Sequence, residues 1–198
     1  MLAPGFHDVP AGMVAAVVTH LEMTARPAPR PAPPLVGAEV VPVANPETGW
    51  YRALFDRVGG QDWLWFSRLA MDEAKLSAIL TDPGVAVHVL RRKGREDGFF
   101  ELDFRQPGLC ELAFLGVAPG ALGTGAGRLM MNTALAAAWA RPITALRVHT
   151  CTFDHPAALD FYRRSGFSVT RREVEIAPDP RLTGVLPRTA APHVPVIV

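Results

Sequence analysis

Cysteine is scarce in this chain of 198 residues, with Cys110 and Cys151 as its pair. Two thiols cannot build a disulfide framework, and in a reducing compartment they read as small buried hydrophobes, so redox chemistry is disfavoured. Long apolar runs are missing as well. Apolar residues make up 49% of the sequence, yet no stretch approaches the roughly 18 uncharged apolar residues of a membrane-crossing helix. A soluble protein without a membrane partner is expected. Met1 to Pro10 show no basic stretch leading into an apolar one and a small-residue cleavage site, so the expected location is cytoplasmic. Neither charge sign is in excess: the formal net charge is +1 with the signs interspersed. That distribution gives no footprint for nucleic acid, and any anion site must be local.

What the chain does contain is a clear order of elements. MVAAVVTHLEM (13–23) reads as a strand, followed by alternating prolines at 25–34 that favour an extended linker or stiff surface strap. GAEVVPV (37–43) reads as a strand, and Pro46 to Val58 and Met71 to Leu80 carry helical spacing on either side of an aromatic-rich stretch. Three strand-like runs come next, VAVHVLRR (85–92), FFELDFR (99–105) and LCELAFLGV (109–117), separated by turns that contain glycine. They predict an antiparallel meander. An alanine-rich helix ending near Arg141, a strand at 143–150, a helix over 156–165 capped by Asp154 or His155, and a strand at 167–176 complete the pattern. In the irregular C-terminal segment, HVPVIV could add a final strand.

The most informative segment is GALGTGAG (120–127), which passes from a strand straight into the alanine-rich helix. Glycines let the backbone approach a phosphate, and the helix offers unpaired N–H groups and the positive end of its dipole. A pyrophosphate would suit it. A dinucleotide fingerprint of the G-x-G-x-x-G type does not fit, since its third glycine would fall on Arg128 or Met130.

The stretches CELAFLGVAPGALGTGAGRLMM (110–131) and DHPAALDFYRRSGF (154–167) resemble the coenzyme A motif and the tyrosine-bearing helix of the GNAT superfamily of N-acetyltransferases. The family signature Gln/Arg-x-x-Gly-x-Gly/Ala falls on Leu122, Gly123, Thr124, Gly125, Ala126 and Gly127, and Leu122 departs from it by supplying no charge or amide. Arg128, just inside the helix, could compensate. The resemblance implies a mixed α/β fold with a central mixed sheet of about seven strands flanked by four helices. It places the acetyltransferase domain at 36–176, with a strand and proline strap before it (1–35) and a tail after it (177–198). It also implies acetyl-CoA as co-substrate, no metal, and a small-molecule or peptide amine as acceptor. A homodimer is compatible with it.

Carried over residue by residue, the resemblance assigns the pantetheine-pairing edge to Leu115, Gly116 and Val117. Gly116 could equally be small for packing. Transfer to an amine requires removal of a proton, and Glu111 is the matching candidate base, with burial expected to raise its pKa. Glu101, Asp103 and Glu22 are substitutes. Tyr162, four residues before Gly166, is the candidate acid toward the leaving thiolate, and His155 stands where relatives carry a coenzyme-contacting Asn. Trp63, Trp65 and Arg68, with Phe66, fall in the expected acceptor wall. His149, Cys151 and His155 could instead gather as a metal or Cys/His site, although a strand end leading into a helix explains them. An acyl-CoA-binding or sensing protein without turnover is the alternative reading, and a structural interaction protein using the strap ranks last.

Overall fold

The computed structural model describes residues 3–198. Strand β1 (Met13–Met23) is followed by the extended strap and by β2 (Ala38–Val43). Helix α1 (Thr48–Phe55) runs through a π turn (Asp56–Gly60) into short α2 (Gln61–Trp63). Short α3 (Ser67–Ala70) and α4 (Glu73–Leu80) follow. The meander is β3 (Val85–Arg92), β4 (Arg95–Asp103) and β5 (Leu109–Val117). A 3₁₀ turn (Pro119–Ala121) leads to α5 (Ala126–Ala138), β6 (Ala145–Cys151), α6 (Ala158–Arg164) and β7 (Ser168–Pro178). Lys93 and Gly94 both have positive φ (49° and 75°) and join β3 to β4 in the tight turn that suits the twist of paired strands. Asp72 accepts from the Lys75 N–H and starts α4.

The seven strands form one sheet in the order β2-β3-β4-β5-β6-β1-β7. The β5–β6 pair is parallel and the other neighbours are antiparallel. One face is covered by α5 and α6, whose Met130, Met131, Ala134 and Tyr162 pack on Phe100, Leu112, Leu146 and Val148. The other face is covered by α1 and α4 over β3 and β4.

β1 occupies the position between β6 and β7, pairing with both, so the first strand of the chain is internal to the sheet. The expected strand at HVPVIV does not form: no described residue after Pro178 is in a strand. Pro195 within this segment removes a ladder donor. The tail is instead gathered by buried Arg181, which pairs with Asp179 and donates to the carbonyls of Ala190, Ala191, Val194 and Pro195. Leu186, Ala190 and Ala191 then pack against Leu64. The strap crosses the outside of α5 and α6: Asn132 donates to the Arg30 carbonyl, Arg30 donates to that of Arg164, and Pro33 lies over Gly125. Among the described residues, no helix is long and apolar enough to cross a membrane.

Candidate active site

β5 and β6 share three parallel rungs, Leu109 with Ala145, Cys110 with Leu146 and Glu111 with Arg147, and then part. β5 keeps its other partner, β4, as far as Val117. From Leu112 onward the edge of β5 that faces β6 is therefore without a strand partner among the described residues, which frees backbone donors and acceptors for a ligand. A cavity of about 580 Å³ occupies the gap, within the range of ligand sites. Its walls are residues 112–117 of β5, His149 and Cys151 of β6, Ala158, Phe161 and Tyr162 of α6, and the Trp63–Ser67 stretch.

At the mouth of this gap stands the glycine loop. Gly123 and Gly125 have φ of 71° and 91°, conformations that side chains rarely adopt. Gly125 precedes α5 without any side-chain cap, so the helix's first N–H groups and positive dipole end are available to an anion. The fit to a pyrophosphate followed by an extended arm is good. Leu122, Gly123 and Gly127 line the cavity, while Thr124 is turned onto the Ala121 carbonyl, Ala126 is buried and Gly125 lies beneath Pro33.

This arrangement can be set beside known proteins. The family model for the acetyltransferase (GNAT) family matches residues 50–167, more than half of the chain. The chain belongs to the GNAT acetyltransferase family. No curated protein sequence matches it, but solved structures share its fold. A GCN5-related N-acetyltransferase from Sphaerobacter thermophilus superposes with TM-score 0.62 at 16% identity, covering 87% of this chain and 53% of that one. One from Kribbella flavida gives 0.55 at 19%, covering 87% and 63%. An aminoglycoside acetyltransferase from an uncultured soil metagenomic sample, in complex with trehalose, gives 0.53 at 16%, covering 65% and 87%. The chain thus spans between about half and two thirds of the length of the first two.

On this GNAT scaffold the sequence-derived residues divide. Leu115, Gly116, Val117, Trp63, Trp65, His155 and Tyr162 all face the cavity. Gly116 is small because Trp65 and Val58 fill its Cβ position, at 2.9 and 2.5 Å from where that atom would lie. Trp65 is fixed by its indole N–H on Asp154 (2.9 Å), and Asp154 also accepts from Thr150 and from the Cys151 N–H. Asp154 is consequently a junction between walls rather than a helix cap. His155 Nδ1 accepts from the Ala157 N–H at 3.1 Å, and its ring packs on Trp63, which also meets His193 from the tail. Tyr162 is buried, and burial followed by the charge of Asp154 pushes its phenol well above the ordinary range, so it stays protonated.

Two expectations are overturned, for Arg68 and for the pKa of Glu111, and Arg128 has partners within the protein. Arg68 does not stand free in an acceptor wall: it pairs with fully buried Glu101 at 2.5 Å, beside the Tyr51 hydroxyl that donates to the same carboxylate. Arg128 is committed to Ser165 (3.0 Å) and to the face of Phe161. Burial does not raise the pKa of Glu111, because its half-exposed carboxylate lies 3.4 Å from His149 Nδ1 and that partner holds it below the usual range. The substitutes are also engaged, Asp103 with Arg105 and Glu22 with Arg147. Burial lifts the Cys151 thiol to about 11, which leaves it a poor nucleophile. The sequence missed Asp154 as a junction and the packing of the tail on Trp63 and Leu64. Their partners lie 89 positions away for Trp65–Asp154, with no local signal to link them.

Proposed function

We propose that this GNAT protein transfers an acetyl group from acetyl-CoA to a primary amine, by direct attack within a ternary complex. The parting of β5 and β6 beside an uncapped helix N-terminus is the observation that carries the reading. Leu122 to Gly127 would hold the pyrophosphate through backbone N–H groups, and the free edge of Leu115 to Val117 would pair with the pantetheine arm. The thioester carbonyl would then face the cavity beside β5, where a nucleophile can reach it. Tyr162, kept protonated by burial, donates a hydrogen bond to the sulfur as charge develops on it. The acceptor enters past Trp63, His155 and His193, an aromatic rim suited to a small or peptide-borne amine. The likeness to an aminoglycoside acetyltransferase supports amine acceptors of the amino-sugar class as first candidates.

Release of coenzyme A thiol from acetyl-CoA across a panel of amino sugars, polyamines and peptide N-termini tests this. Steady release with at least one amine is expected, falling by about tenfold or more in Tyr162→Phe. Exposed Leu122 in place of Arg or Gln favours the second reading, an acyl-CoA sensor. Acetyl-CoA binding with no thiol release from any amine would select that reading.

A further inference from the structure

We propose that His149, rather than Glu111, takes the proton from the attacking amine, and that Glu111 is the residue that positions it. This rests on the acyl-transfer reading above. His149 lies two residues beyond the last β5–β6 rung, on the same strand face as Arg147, where the strands begin to separate. It borders the large cavity and also a second, polar cavity of about 420 Å³ that opens between β5, β6, β1 and β7. Glu111 lines the second cavity alone. His149 is thus the titratable group that borders both the space beside the β5 edge and the polar cavity.

With Glu111 Oε1 at 3.4 Å from Nδ1, the carboxylate favours the neutral tautomer with its hydrogen on Nδ1, which leaves the Nε2 lone pair to accept a proton. Around the ring, Glu111 on β5, Asp154 after β6 and Glu175 on β7 act together to hold the imidazolium above its ordinary range, against the opposing effect of burial. From β1, His20 packs on it at 5.6 Å and is itself held by Glu173 of β7. The nearby cations are already matched, Arg147 by Glu22 and Arg171 by Glu173. Asp103 of β4 is matched by Arg105.

In the step, the amine nitrogen bonds to the acetyl carbon, the C–S bond breaks, and its electron pair leaves with coenzyme A as thiolate. The proton shed by nitrogen passes to His149 Nε2 and then through the polar cavity to solvent, while the thiolate is hydrogen-bonded by Tyr162 and is protonated from water.

Two readouts test this, one independent of turnover. The His149 imidazole is titrated by NMR in the native protein and in Glu111→Gln, and thiol release is followed against pH with an amine that the native protein accepts. His149→Gln should lower kcat about 100-fold or more, with acetyl-CoA binding by calorimetry unchanged. Glu111→Gln removes the charge that favours the imidazolium, so the NMR titration and the acid limb of the rate profile should move together to lower pH, with the plateau reduced several-fold. A rate in His149→Gln within a few-fold of native would overturn the proposal. So would collapse in Glu175→Gln in its place, or loss in Glu111→Gln without movement of the limb. Acetyl-CoA binding with no amine turned over by the native protein would remove the acyl-transfer reading itself, and this one with it.

Discussion

Glu101 has no exposed surface, and its charge is balanced by Arg68 at 2.5 Å and by the Tyr51 hydroxyl. Removing one partner of such a pair strands a buried charge, so Arg68→Met should destabilise the fold by about 3–5 kcal/mol. Chemical denaturation measures it; a change below about 1 kcal/mol would mean that Glu101 takes up a proton or a water at little cost. Gly116→Ala should cost about 1–3 kcal/mol, because its methyl group would collide with Val58 and Trp65. An unchanged melting curve would contradict that packing. At this scale the sequence was legible for residue type and not for partner. Trp63, Trp65 and Tyr162 were placed at the cavity by motif and neighbourhood. Arg68 looked the same as a free acceptor contact because its counter-ion lies 33 positions downstream, and Glu111 looked like an isolated buried base because His149 sits on another strand.

The loop before α5 was readable because its cause is local: glycine at φ of 71° and 91° followed by a helix with no side-chain cap. The meander was readable for the same reason, through alternation and glycine turns. The parting of β5 and β6 has no such signature, since it depends on register between strands joined through a helix. That β1 lies between β6 and β7 was also hidden, because strands so far apart in the chain leave no local signal of their pairing. The outcome gives a clear expectation. Deleting residues 3–24 removes β1 and leaves β6 and β7 without their shared partner, so the product should lose cooperative unfolding and aggregate through exposed edges. Deleting from Pro195 onward, which takes no strand, should leave a cooperative transition. Equal tolerance of both deletions by thermal unfolding would contradict the internal placement of β1.

Across the whole molecule, the sheet separates two apolar cores and holds the cavity where one of its two central strands turns away from the other. Cavity and loop together point to coenzyme binding. Calorimetric titration with acetyl-CoA and coenzyme A, with NADH as control, tests it most directly. Micromolar, one-to-one binding of the coenzyme A species and none of NADH is the predicted result; no heat from acetyl-CoA or coenzyme A at concentrations well above micromolar would contradict it.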